Sequence, residues 1–144
     1  MAALTQPTAR KRRDLHLATK GYGTVKTAVT IQQGALVSLD EATGNVTNAA
    51  AATGLSDVLG VATATKTATE TVEYLFGHQE FFTDAAALTK GYTTCNVGVS
   101  DNDTVTTLSD AGTAAVQVRV GELTEWTSSG SWVAIRRHST KSAP

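Results

Sequence analysis

Ala115-Val116-Gln117-Val118-Arg119-Val120 is the stretch whose reading decides the fold. Valine at every second position, with Ala115, Gln117 and Arg119 between, is the period-two pattern of a strand with one buried face. β-Branched side chains strengthen that reading, because they fit a pleated, half-buried surface. Downstream, residues 123–127 and 132–137 enclose Ser128-Ser129-Gly130-Ser131, a turn-forming run between two further strands. Upstream, residues 93–100 and 104–108 bracket Asp101-Asn102-Asp103, and residues 58–65 pair with 71–76 across the segment 65–70. In the second of these pairs Val72, Tyr74 and Phe76 share a face, and Thr71 and Glu73 look outward.

The same pattern reaches the beginning of the chain. Residues 35–39 and 46–48 flank Asp40-Glu41-Ala42-Thr43-Gly44-Asn45, a hairpin loop in which Gly44 is free to take a positive φ. Val25, Thr27, Val29 and Ile31 line one face of an expected strand against Lys26, Ala28 and Thr30. Leu15 and Leu17 alternate with His16 and Ala18. Thr19-Lys20-Gly21-Tyr22 recurs as Thr89-Lys90-Gly91-Tyr92, which reads as a Lys-Gly turn entering a strand, with a duplicated half-barrel as the alternative. Helix is confined to Asp84-Ala85-Ala86-Ala87-Leu88-Thr89-Lys90-Gly91, with Asp84 as the expected N-cap and Gly91 as the C-cap. Short strands separated by turn signals every 8–12 residues or so indicate an all-β protein. The expectation is a compact β-sandwich or barrel with one short helix and an extended N-terminal arm. Residues 1–14 form a flexible basic arm, 15–137 the β-rich domain, and 138–144 a C-terminal tail.

Composition supports one domain. Of 144 residues, 41% are apolar but only 6% aromatic, so the core rests on Val, Ala, Leu and Ile. Cys95 is the single cysteine, which excludes an intrachain disulfide and a cysteine-based metal site. No run approaches the ~20 apolar residues of a membrane-spanning helix. The charged N-terminus lacks the apolar stretch of a secretory signal, so the chain is expected to be made and used in soluble form. Charge is unevenly placed. Arg10, Lys11, Arg12 and Arg13 crowd the start, and Arg136, Arg137 and Lys141 the finish. Residues 14–135 hold 5 Lys and Arg against all 13 Asp and Glu. Cationic ends on an anionic body suit a protein oriented by charge towards a partner.

Groups able to perform chemistry are sparse. His16, His78 and His138 lie far apart, and only His78-Gln79-Glu80 places a histidine beside a carboxylate, without a third ligand. Neither a G-x-S-x-G elbow nor a phosphate-cradling glycine loop occurs. Asp101-Asn102-Asp103 lacks the glycine and distal glutamate of a calcium loop. No catalytic, cofactor-binding or metal-binding residues are expected, and the protein is read as a non-enzyme. The basic arm could neutralise phosphates, but the aromatic residues are not interleaved with Lys and Arg as in single-strand binders, which argues against nucleic acid. Phe81-Phe82 would face opposite sides of a strand, one towards the core and one towards a subunit interface.

With these residues in view, the chain resembles the capsid decoration (cement) proteins of tailed bacteriophages. The likeness lies in an extended polar N-terminus, Gly34-Ala35-Leu36-Val37-Ser38-Leu39-Asp40 leading through Thr43-Gly44-Asn45-Val46 into a hairpin, Leu59-Gly60-Val61-Ala62, and late strands at 116–121 and 132–136. It covers residues 20–136. The resemblance implies a β-rich body, commonly trimeric, on the outer face of an icosahedral shell, with the major capsid protein as partner. It also implies that residues 2–19 act as a clamp, with Leu4, Leu15 and Leu17 as apolar anchors and Arg10, Lys11, Arg12 and Arg13 as charge contacts. The expected location is the capsid outer surface of the virion, after synthesis in the host cytoplasm. Two other readings compete: a nucleic-acid-binding coat protein, and a tail or connector component.

Overall fold

The computed structural model describes residues 6–7, 12–13, 18–77, 80–84, 96–99, 102, 105–107, 118–127 and 130–135. Eleven strands lie among them. The first six are β1 (Arg12–Arg13), β2 (Ala18–Thr24), β3 (Leu36–Leu39), β4 (Val46–Asn48), β5 (Gly60–Ala62) and β6 (Thr71–Gly77). The others are β7 (Glu80–Asp84), β8 (Asn96–Val99), β9 (Val105–Thr107), β10 (Arg119–Thr127) and β11 (Gly130–Ile135). They form a six-stranded sheet in the order β1-β7-β11-β10-β8-β9 and a five-stranded sheet in the order β2-β6-β5-β3-β4. Every strand pairing described in the two sheets is antiparallel. The fold is all-β, as the alternating valines indicated.

Two apolar clusters fix the layers. The first joins Leu36, Val58 and Val61 from the five-stranded side to Val105, Val118, Val120, Val133 and Ile135 from the six-stranded side. This is the sandwich interior. The second, Val25, Ile31, Ala35, Val37, Val46, Ala62, Val72 and Tyr74, fills the opposite face of the five-stranded sheet. Neighbours such as Leu36 and Val37 therefore point to different clusters, and both are fully buried. Strands buried on both faces lose the polar half of the alternation, which explains why β5 reads Gly-Val-Ala. Each fully buried Val, Leu or Ile contributes about 1.5–3 kcal/mol relative to exposure.

The second cluster is closed by chain that the periodicity assigned to a strand. Residues 25–31 are a loop: Val29 N–H donates to Lys26 O at 3.2 Å, and Ala28 takes φ 64. Val25 and Ile31 are held by isolated bridges to Val46 and Lys66. Both are fully buried, so the apolar spacing was real, although it marks two anchors of a loop rather than one strand face. The bridge from Val25 to Val46 is parallel and draws the five-stranded sheet partway into a barrel.

The expected Lys-Gly turn is also corrected. Lys20 and Gly21 lie inside β2, whose seven residues all pair with β6. A Cβ on Gly21 would collide with the Tyr74 ring, and one on Gly23 with Val46 Cγ2. These glycines serve close packing inside the half-barrel. Other expectations held. Residues 40–45 link β3 to β4 with Gly44 at φ 75, and β5–β6, β8–β9 and β10–β11 pair as read. Arg119–Thr127 form one nine-residue strand, β10, that takes in the end of the piece expected at 115–120 and the piece expected at 123–127, with register shifts near Gly121 and Thr124, while 115–117 lie outside the described residues. Asp84, the expected helix cap, ends β7 opposite Gly130. The rest of that helix, 85–91, and the second Thr-Lys-Gly-Tyr copy lie outside the described residues.

Candidate functional site

Of the expected clamp residues, Arg12 and Arg13 are placed as β1 at the margin of the six-stranded sheet. Arg12 sits opposite Phe81 and Arg13 opposite Glu80. The sequence reading put both residues in a free arm, whereas an extended backbone beside an unpaired strand satisfies hydrogen bonds on both sides. Leu4, Arg10, Lys11, Leu15 and Leu17 lie outside the described residues. Phe81 and Phe82 occupy β7, between β1 and β11, opposite Val133 and Trp132 respectively.

Asp40, Asp57 and Glu70 are engaged in holding loops and layers. Asp40 is nearly buried, and its Oδ2 lies 2.9 Å from Lys26 Nζ. Thr43 Oγ1 donates to Oδ2 at 2.9 Å, and Ala42 N–H to Oδ1 at 3.2 Å. The Lys26 ammonium, then the Thr43 hydroxyl, hold the carboxyl below its ordinary pKa against the opposing effect of desolvation. Glu70 acts similarly at the 67–70 turn. Its Oε1 accepts from Thr67 N–H at 2.7 Å and Thr67 Oγ1 at 2.9 Å, which lowers its pKa.

Asp57 joins the sheets. Its Oδ1 accepts Arg119 N–H at 2.9 Å and its Oδ2 lies 3.2 Å from Arg119 Nη2, with both side chains largely buried. Val58 N–H returns a bond to Arg119 O at 2.8 Å. Ser56 Oγ extends the chain of contacts, accepting Leu39 N–H and donating to Asp57 O, each at 2.8 Å. A second tie uses Asn102, from the Asp101-Asn102-Asp103 run. Asn102 is buried, donates Nδ2–H to Asn48 Oδ1 at 2.9 Å, and accepts Leu36 N–H on its carbonyl at 2.8 Å. Sequence reading took Arg119 as an outward residue and Asn102 as a turn former. No local signal announces either pairing, because the partners are 62 and 54 residues away.

Among the described residues, no group of three or more His, Cys, Asp or Glu is placed to hold a metal ion. Within the five-stranded sheet, β2 pairs with β6 along its whole length, and where β2 ends Val25 bridges to Val46 of β4. Tyr22, in the middle of β2, is 61% exposed and is the one large apolar side chain so exposed among the described residues. It stands opposite Glu73, to whose carboxylate its hydroxyl donates, a bond that raises the tyrosine pKa. In comparisons with known proteins, no family model, curated protein or solved structure matches the chain.

Proposed function

We propose that this protein is a virion structural component, a capsid decoration protein that binds the outer surface of an icosahedral phage head as an oligomer and stabilises it. The observation that carries this reading is the strand β1: part of the basic N-terminal segment lies extended along a sheet margin. A segment able to add a strand gains main-chain hydrogen bonds without needing a pocket. Its four clustered cations would supply orientation and encounter rate on an acidic surface. In an oligomer, several such weak contacts combine through effective concentration. The polar networks at Asp40, Asp57 and Asn102 support the same reading, since they tie loops and layers into a stiff body. The partner is the major capsid protein, and the trimer implied by the resemblance suits a shell's symmetry.

Co-sedimentation tests the proposal, using the full chain, a deletion of residues 2–14, and the charge-neutral variant Arg12→Gln/Arg13→Gln, which sets no like charge opposite Glu80. Binding to empty heads that both variants weaken supports it. Failure of the full chain to bind heads, or retention of DNA or RNA instead, with affinity falling steeply as salt rises, would overturn it in favour of the nucleic-acid reading.

A further inference from the structure

The topology brings the two cationic ends of the chain to one corner. Arg12 and Val133 both stand opposite Phe81, and Arg13 and Ala134 both stand opposite Glu80, from the two sides of β7. β1 and β11 therefore run parallel with one strand between them, roughly 10 Å apart. β11 ends at Ile135, and Arg136-Arg137 follow directly in the chain. Covalent geometry keeps the Cα of Arg136 within roughly 7.5 Å of the Cα of Ala134, although most of the sequence lies between Arg13 and Arg136. Arg10 and Lys11 likewise precede Arg12 directly. The carboxylates that register or chain order sets beside these cations are Asp14, Glu80 and Glu122, the last opposite Ala134 on β10.

We infer that the cations of both termini act together as one docking corner for a carboxylate-rich protein surface. Charges about a Debye length apart, roughly 10 Å at 0.1 M salt, still reinforce one another's field. The corner keeps an excess of cations over its three neighbouring carboxylates, and lysine and arginine side chains are almost never fully buried unless paired. Arginine forks also match carboxylates bidentately. Residues 14–135 hold all 13 Asp and Glu, so the rest of the body is anionic. A single cationic pole on such a body turns the corner towards an acidic partner during encounter, which two separated poles would not do. The same anionic body repels a long phosphate backbone, which favours protein over nucleic acid as the partner. The identity of the acidic surface rests on the capsid reading, whereas the corner itself does not.

Calorimetric titration of the full chain with octaglutamate tests the corner without heads, since the extended peptide spans roughly 26 Å. One peptide per chain is expected at low salt. Arg12→Gln/Arg13→Gln should weaken it roughly threefold to tenfold, and Arg136→Gln/Arg137→Gln to a similar extent. The urea midpoint of each variant checks that it is folded. Two peptides per chain, each lost with one pair of substitutions, would reveal separate sites and overturn the inference. So would binding indifferent to Arg136→Gln/Arg137→Gln, or duplex DNA retained at a salt concentration that releases octaglutamate. Co-sedimentation then addresses the partner: heads should bind the Arg136→Gln/Arg137→Gln variant as weakly as the Arg12→Gln/Arg13→Gln variant. Heads that bind no form, while octaglutamate behaves as stated, would remove the capsid reading and leave the corner standing.

Discussion

Ser38 shows what a single atom can reveal. It sits in β3, fully buried, and its hydroxyl has no hydrogen-bond partner among the described residues. A buried hydroxyl without a partner costs about 1–3 kcal/mol on mutational scales. Ser38→Ala is therefore expected to be neutral or to stabilise by up to about 1 kcal/mol, read as a raised urea midpoint. Two glycines give a contrast. At Gly44 the left-handed backbone is the constraint, with open space around it, so Gly44→Ala should cost about 1–2 kcal/mol. At Gly21 the constraint is the Tyr74 ring, and Gly21→Ala should cost about 1–3 kcal/mol through repacking. Asp40 links this scale to pH. Its folded pKa is depressed by Lys26 and Thr43, so its contribution is fully present above the ordinary carboxylate pKa and fades as pH falls through the folded value. The stability gap between wild type and Asp40→Asn should be largest near neutrality and close below about pH 4.

At the level of elements, polar pairs tie the layers at defined points beside the apolar cluster between them. Asp57→Ala would leave the Arg119 guanidinium and backbone N–H without their carboxylate, and a loss of about 3 kcal/mol is expected in chemical denaturation. Hairpins were the legible elements. β3–β4 and β10–β11 each combine alternating apolar residues with a turn of Gly, Asn, Asp or Ser, and both signals are local. β2 was illegible because its glycines look like turn formers until Tyr74 and Val46 are placed over them. Residues 25–31 misled for the converse reason. A surface loop with two buried apolar anchors six residues apart copies the period of a strand, and the bridges to Val46 and Lys66 and the positive φ of Ala28 distinguish the two. The sites where function was sought divide the same way. The basic cluster was visible as composition, but the seat of Arg12 and Arg13 beside β7 depends on long-range pairing that no spacing encodes.

For the molecule as a whole, the five-stranded sheet is the shared middle layer. Leu36 packs towards the other sheet and Val37 towards the loop-covered side. Leu36→Ala is expected to cost about 2–5 kcal/mol, with one unfolding transition and an unchanged denaturant slope, since neither cluster can be lost without disturbing that sheet. A biphasic curve would show that the two clusters melt separately. The parallel bridge that draws this sheet round carries a consequence of its own. Lys26 N–H donates to Val46 O at 2.8 Å just where β2 runs out, so this one proton guards the seam. Its deuterium uptake would time the parting of that seam alone, a clock hand for breathing motions that leave every ladder of the sheet intact.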